Sequence, residues 1–390
     1  MNDRAFDIIL FGATGFTGQL IARYLFEHAE EEGVTIALAG RNEKKGKELL
    51  DVFRENYPEA KNSEWITADI NEPPSLDRMT AQGKVLMNAA GPFILYGLPV
   101  VEYCIKNKCH YLDITGEPEF VKTVEARYGN DALNNKVAVI SACGFDSIPA
   151  DLGTLLAVDA LDDRSKVTVQ CFIRTNAEFS GGTWNTAIHA ISRKRKRAHP
   201  TGQNDREKSK SRKIPLKIHF SKLVNGWALP MPVVDPHIVK KSARSMPEKY
   251  GTSFAYAQFF SVKSFAKVLR IVIPIVLLFI LVRISFIRKW LLNRNQPGTG
   301  PDADKRSRSK FEVRVFADSA DQRSEVIVSG QDPGYNETSK MFSQAAFCLL
   351  NKINNGQLKA GVNTPAYTLG YDLIDRLKSQ GIRMELISKN

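Results

Sequence analysis

The stretch Gly12-Ala13-Thr14-Gly15-Phe16-Thr17-Gly18 constrains this chain more than any other. Before it runs Phe6-Asp7-Ile8-Ile9-Leu10-Phe11, an apolar segment suited to a buried parallel strand. After it, Gln19 to Phe26 carries apolar residues at helical spacing. Glycines at G-x-x-G-x-x-G spacing, between a strand and a helix, predict a phosphate cradle. Gly12 allows the tight turn. Gly15 lets the backbone approach a pyrophosphate at the helix N-terminus, and Gly18 lets the helix pack close to the sheet. A plain glycine-rich turn is the alternative, and the flanking strand and helix weigh against it. The predicted cradle comprises Gly12, Thr14, Gly15, Phe16, Thr17 and Gly18.

The next predicted strand, Thr35 to Ala39, runs into Gly40-Arg41-Asn42. NAD-preferring sites carry an acid at this point, which binds the ribose 2′-hydroxyl. Here a guanidinium stands instead, and Arg41, with Asn42 beside it, suits a 2′-phosphate. The expectation is NADP(H) in preference to NAD(H); the alternative is a solvated charge at a helix entry. Glu43 to Glu55 reads as an amphipathic helix and Glu64 to Asp69 as a third strand ending in an acid. Asp69 is placed to meet the adenine amino group or to cap the following turn. Lys84 to Asn88 is a fourth strand, and the small residues Ala89, Ala90 and Gly91 after it let the backbone lie against the nicotinamide ribose. Gly97 to Lys106 and Phe120 to Leu133 read as helices, His110 to Asp113 and Val137 to Ser141 as strands. This alternation predicts an α/β fold, a Rossmann-type doubly wound parallel sheet. A short-chain dehydrogenase needs Tyr-x-x-x-Lys on a later helix. Only Tyr57 to Lys61 has that spacing, too early and interrupted by Pro58.

A chain of 390 residues exceeds one ordinary core. After Gly144 to Gly153 the alternation weakens. Strands are predicted at Lys166 to Arg174, Phe311 to Ala317 and Ser324 to Ser329, so the second domain reads as α+β. Ser180 to Ala187 enters a helix through small residues, either an acyl or anion cradle or an ordinary cap. The expected boundaries are 1–150 for the cofactor domain, 151–333 for the substrate domain and 334–390 for C-terminal helices returning to the first domain. No cysteine spacing fits a metal, and five scattered cysteines fit a reducing compartment. Residues 1–5 lead straight into a strand, so no signal peptide is expected.

The net charge of +12 is local: Arg193–Lys217 and Lys263–Lys310 each carry +9, and the remainder sums to −6. The run Arg193-Lys194-Arg195-Lys196-Arg197 has no nucleic-acid module around it, and no nucleic-acid partner is expected. Ile271 to Val282 is 12 uncharged residues between Arg270 and Arg283. Spanning a membrane takes about 20. A basic segment of about 254–292, counting Phe254, Tyr256, Phe259 and Phe260, reads as an interfacial or partly embedded helix at a membrane surface. A buried core helix and a single span are the alternatives.

Together these stretches resemble the saccharopine dehydrogenase-like oxidoreductases, in the branch that includes the trans-acting enoyl reductases. The resemblance rests on GATGFTG at Gly12 to Gly18, Ala39-Gly40-Arg41 and NAAGPFILYG at Asn88 to Gly97. HYLDITGE at His110 to Glu117, GFDSIPADLG at Gly144 to Gly153, Ser180 to Thr183 and Gly334-Tyr335 extend it along nearly the whole chain. It implies a Rossmann domain, an NADP(H) cofactor and a substrate domain inserted before C-terminal helices. In the enoyl-reductase members it implies reduction of a carbon–carbon double bond in a carrier-bound lipid. The expected protein is an NADPH-dependent enoyl reductase acting on a lipid-like or acyl-carrier substrate, on the cytoplasmic side of a membrane, with a homodimer left open. A cofactor-binding lipid-surface protein without turnover and a saccharopine-type amino-acid dehydrogenase are the rival readings. Hydride addition to a β-carbon leaves an enolate that needs a proton donor. Tyr111, Asp113, Asp146 and Tyr335 are candidates; each also has a plain structural reading, as loop cap or packing group.

Overall fold

The computed structural model describes residues 4–177, 214–231, 233–281 and 302–389. The N-terminal part alternates strand and helix. It runs β1 (Phe6–Phe11), α1 (Phe16–Glu32), β2 (Ile36–Gly40), α2 (Glu43–Asn56), β3 (Glu64–Thr67), α3 (Pro73–Gln82), β4 (Gly83–Asn88), α4 (Phe93–Lys106), β5 (His110–Asp113), α5 (Pro118–Asn134) and β6 (Ala138–Ile140). Next come α6 (Ile148–Asp159), β7 (Val167–Thr175), β8 (His219–Ser221), β9 (Gly226–Pro230), α7 (Asp235–Ser245), β10 (Phe254–Val262), α8 (Phe265–Leu281), β11 (Phe311–Asp318) and β12 (Arg323–Gly330). The chain closes with α9 (Asn336–Asn354), β13 (Gly361–Asn363), α10 (Gly370–Ser379) and β14 (Arg383–Lys389). Two units result: residues to Ile148 with Tyr335–Ile382, and Pro149–Gly334 with Arg383–Asn390.

The first unit is built on a seven-stranded sheet of order β13-β6-β5-β4-β1-β2-β3, and every pairing in it is parallel. Its inner strands are apolar on both faces because helices cover both; Ile8, Ile9, Leu10, Leu38 and Leu86 are wholly buried. Gly361–Asn363 adds a strand that the sequence does not announce, with Val362 opposite Val139. Helices α9 and α10 are tied to α1 by Gln344 Nε2 donating to Tyr24 Oη at 3.1 Å and by the Arg376–Glu32 ion pair. The strand order reverses between β1 and β4, the point at which open α/β sheets bind ligands.

The second unit is a mixed sheet of order β14-β12-β11-β7-β10-β9-β8, with β7 and β10 parallel and the other pairs antiparallel. Phe172, Phe259 and Phe316 form a cluster on it, with the first two stacked 5.6 Å apart. Helix α6 is held to the rest of the unit by Ser242 Oγ donating to Asp151 Oδ1 at 2.6 Å and Ser324 Oγ donating to the Ala157 carbonyl at 2.6 Å.

One expectation is corrected here. Phe254, Tyr256, Phe259 and Phe260 do not extend the apolar membrane segment: they belong to β10, an inner strand paired with β7 and β9. Aromatic and small apolar residues suit a strand covered on both faces, and Tyr256 and Phe259 are buried in it. The apolar helix starts only at Phe265. It is not a core helix either. Its large apolar side chains stand between 38% (Leu281) and 57% (Ile280) exposed at eight positions. Among the described residues no helix is long and apolar enough to cross a membrane. The small-residue stretch Ser180–Ala187, the basic run Arg193–Arg197, and residues 282–301 lie outside the described residues.

Candidate cofactor site

The glycine loop forms at the end of β1 because that strand carries its hydrogen bonds across onto β2. The Gly12 and Ala13 N–H groups donate to the Ala39 carbonyl at 2.9 and 3.2 Å, and Gly15 N–H closes the turn on Gly12 O at 3.0 Å. Gly12 has φ +89°, and a Cβ there would stand 2.9 Å from Ala90 N. The loops after β1 and β4 therefore meet backbone to backbone, as the strand reversal requires. At Gly18 a Cβ would lie 2.2 Å from Gly12 O. Helix α1 begins at Phe16 with Gly15 as its N-cap. It has no side-chain cap hydrogen bond and no acid in its first turn. Such a helix end presents donors and a positive dipole to an anion. Thr14, Phe16 and Thr17 are half-buried around it and Gly15 is exposed.

The neighbouring helix contrasts with it. Asn42 Oδ1 accepts from Lys45 N at 2.9 Å, so Asn42 caps α2. Arg41 is exposed just past β2, without a side-chain partner among the described residues. Asp69 closes its own turn, with Oδ1 accepting from Asn71 N and Nδ2 at 2.9 and 3.0 Å. Ala89 and Ala90 are half-buried and Gly91 is exposed. The cradle that a Cβ would fill, the bare helix N-terminus and the guanidinium beside β2 fit a dinucleotide bearing a 2′-phosphate.

Below the Ala89–Gly91 loop lies a buried polar chain. Asn88 Oδ1 accepts from Ala90 N at 3.0 Å, and its Nδ2 donates to Tyr111 Oη at 3.0 Å. Tyr111 in turn bonds Asp113. Asp113 also accepts from Thr115 N, Ala142 N and Ser141 Oγ at 2.9–3.0 Å. Burial nevertheless pushes its carboxyl up to about 6 and pushes the Tyr111 phenol well above its ordinary range. Both side chains are wholly buried. Tyr335 is buried as well, edge-on to Phe16 at 4.8 Å. Asp146 differs. It is exposed by area, although the protein packed around it strips enough water to push its carboxyl up to about 6; the exposed area governs its access to a substrate. Its Oδ2 lies where a Cβ on Gly116 would come within 2.7 Å. Thus the fold joins Tyr111 and Asp113 in one network, sets Tyr335 on the cradle and leaves Asp146 apart.

Two groups that sequence reasoning missed hold these loops. One is Asn88. The other is Glu117, whose Oε1 and Oε2 accept from Phe93 N and Ile94 N at 2.8 and 3.0 Å. Standing just before Pro118, it looks like a cap for α5, yet its carboxylate caps α4 from 23 residues or more away in the chain. Glu117→Ala strands two donors at the buried start of α4. The expected loss is about 2–4 kcal/mol of stability in urea unfolding, and Glu117→Gln, which keeps one acceptor, loses about half as much.

His110, at the start of β5, sets an acid response. Its Nδ1 accepts from Ala138 N at 3.1 Å, and burial, with Arg4 nearby, lowers its pKa to about 4 from 6.5. The unfolded chain takes up that proton first, so this group's contribution falls as pH drops from 6.5 towards 4. Asp113 works the other way: its raised carboxyl is protonated in the fold before it is in the unfolded chain, and it gains stability as pH falls through about 6. His110→Asn keeps an acceptor and cannot titrate. Measured by urea unfolding at pH ~7 and pH ~4, the variant is expected to lose about 3 kcal/mol less than the parent.

A parallel sheet of this order with a glycine cradle at its reversal point defines a Rossmann-type dinucleotide-binding protein. Residues 8–139 match the family model for the saccharopine dehydrogenase NADP binding domain. The chain is 29% identical over 432 residues to a rat saccharopine dehydrogenase-like oxidoreductase, covering 100% of this chain and 99% of that one. It is 29% identical over 423 residues to a Mycobacterium tuberculosis protein that carries the name of a trans-acting enoyl reductase (98% and 97% covered). A Caenorhabditis elegans protein named for lipid-droplet localisation is 29% identical over 428 residues (98% and 99% covered). The solved saccharopine dehydrogenase of Saccharomyces cerevisiae shares the fold, with a TM-score of 0.57 at 13% identity over 98% of this chain and 100% of that one. Along its whole length the chain is similar to the saccharopine dehydrogenase-like oxidoreductases, and it carries an NADP(H)-binding domain.

Proposed function

We propose that the protein is an NADPH-dependent reductase that saturates a carbon–carbon double bond of a lipid-like or carrier-bound enoyl substrate at a membrane surface. The observation that carries this reading is the bare N-terminus of α1 behind the glycine loop, with Arg41 beside it. The exposed apolar helix α8 and the names of the mycobacterial and nematode relatives support the lipid half. When bound, the nicotinamide supplies a hydride. The backbone of Gly12 to Gly18 would hold the pyrophosphate, Arg41 would pair with the 2′-phosphate, and Ala89 to Gly91 would carry the nicotinamide ribose. Asn88, Tyr111 and Asp113 fix that last loop from below. Asp146, exposed and with a carboxyl drawn towards neutral pH, is the one of the four candidates that a substrate reaches, and it is assigned the proton at the α-carbon. Reduction at the β-carbon would leave an enolate, and the protonated fraction of the Asp146 carboxyl would supply the proton at its α-carbon.

The test is incubation with enoyl thioesters of graded chain length and NADPH deuterated at the nicotinamide C4, with vesicles present. A saturated product carrying deuterium at the β-carbon, lost in Asp146→Asn, is the expected result. NADPH binding without oxidation by any thioester sinks the reductase reading and leaves a cofactor-binding lipid-surface protein. Oxidation only with an amino acid and a keto acid together turns the reading to a saccharopine-type dehydrogenase.

A further inference from the structure

Strands β5 and β6 lie side by side in the first sheet, and the loops leaving their carboxyl ends meet at Gly116 and Asp146. Open α/β sheets bind their ligands on that side. A Cβ built on Gly116 would stand 2.7 Å from Asp146 Oδ2 and 3.2 Å from Asp146 Cγ. The carboxyl of Asp146 therefore rests against the bare Cα of a glycine. Gly116 has no positive φ, so the backbone conformation does not call for glycine there. The requirement is one of space.

Both loops are tied down. Thr115 N–H donates to Asp113 Oδ1 at 3.0 Å, Glu117 N–H donates to Thr115 Oγ1 at 3.1 Å, and the Glu117 carboxylate caps α4. Gly116 is thus held from either side. On the other loop Phe145 N–H donates to Thr338 Oγ1 at 3.2 Å, and the N–H groups of Ser147 and Ile148 close on Gly144 O at 3.3 and 3.0 Å. The Asp146 side chain has no such hold. Among the described residues no donor or cation acts on it, and burial alone raises its carboxyl to about 6. Asp113, by contrast, accepts from Thr115 N, Ser141 Oγ and Ala142 N.

We propose that Gly116 is a positioning residue for proton transfer: its missing Cβ leaves the niche in which the Asp146 side chain rests, so contact and not a hydrogen bond sets where the carboxyl stands. The proposal rests on the assignment of the proton to Asp146 in the proposed function. A hydrogen-bond donor in the same place would also orient the group, but it would stabilise the carboxylate and pull its titration down. A steric niche orients the acid and leaves it able to hold its proton. In Gly116→Ala the methyl group pushes the carboxyl outward by about 0.7 Å, to where ordinary contact begins at 3.4 Å. The tied backbones do not yield, so the side chain does, and it gains water.

The experiment uses the full chain with NADPH bound. Carbon-13 NMR follows the titration of the Asp146 carboxyl, its signal assigned by its loss in Asp146→Asn. Gly116→Ala is expected to lower that titration from about 6 towards the ordinary 3.8, with NADPH affinity and thermal unfolding unchanged. This reading needs no substrate. Turnover is then measured with the coenzyme A thioester of trans-2-decenoic acid. Gly116→Ala is expected to lower kcat by at least about 10-fold, to leave the KM for NADPH unchanged, and to move the alkaline limb of kcat to lower pH. On the Asp146→Asn background the same substitution is expected to cost nothing further.

An unmoved Asp146 titration in a folded Gly116→Ala protein overturns the proposal. So does an equal loss of kcat on both backgrounds, or a Gly116→Ala protein that unfolds early or loses NADPH, since each makes Gly116 a packing residue of its loop. These results leave the proposed function standing as long as Asp146→Asn itself abolishes turnover. An Asp146→Asn protein as active as the parent brings down the proton assignment, and the positioning role with it, whatever the titration shows.

Discussion

Gly18→Ala is expected to abolish NADPH binding and to cost the first unit at least about 3 kcal/mol of stability. The methyl group would stand 2.2 Å from Gly12 O, 2.9 Å from Ala13 Cα and 3.0 Å from Ala13 C. All three are backbone atoms of the cradle, so no rotamer change relieves the contact. Helix α1 must move off β1, and its N-terminus leaves the position from which it faces a phosphate. Since α9 and α10 are tied to α1 through Tyr24 and Glu32, the shift spreads into the helical face behind the sheet. The control is Gly129→Ala in α5, where nothing lies within 4 Å of the new Cβ. A helical glycine replaced without contact gains about 0.5–1 kcal/mol. Thermal unfolding of both variants, with nicotinamide fluorescence as the binding readout, checks the pair. A Gly18→Ala protein that unfolds and binds like the parent removes the cradle from its assigned place.

Arg41→Glu is expected to weaken NADPH binding by about 100-fold and to tighten NADH binding. A charge-assisted bidentate contact is worth about 1.5–3 kcal/mol, and the substituted carboxylate adds repulsion of the 2′-phosphate while it offers the ribose hydroxyl an acceptor. Arg41 is exposed and Asn42, not Arg41, caps α2. The substitution therefore leaves the helix start intact, and its effect reads as recognition. Parallel titration with both nucleotides is the measurement. Equal weakening of NADPH and NADH, or of neither, would place the 2′-phosphate elsewhere.

The local elements were legible because each is written in a short pattern. Apolar runs mark β1 and β4, the glycine spacing marks the turn between β1 and α1, and the unbroken apolarity of Ile271 to Leu281 marks the outer part of α8. Local pattern also misled. The aromatics of Phe254–Val262 adjoin the apolar helix in sequence and share its hydropathy, and nothing within nine residues distinguishes an inner strand from a lipid-facing extension. Pairing decides it: β7, some 80 residues earlier, and β9 supply the hydrogen bonds. Glu117 is a similar case. Its position before a proline describes a cap for the helix it precedes, while its carboxylate serves α4.

By its own pattern, then, the sequence determined a nucleotide-binding loop between strand and helix, a guanidinium where NAD-binding sites keep an acid, and an apolar stretch flanked by arginines. Those depend on backbone freedom, charge and hydropathy within a few residues. The tertiary structure alone decided that β13 completes the first sheet from beyond residue 360, that Asn88 and Tyr111 support one loop from beneath, and that Asp146 stays open while Asp113 is sealed. Each of these depends on which distant groups come to share a buried volume, where an unpaired donor or carboxylate is costly and a partner from another part of the chain must satisfy it.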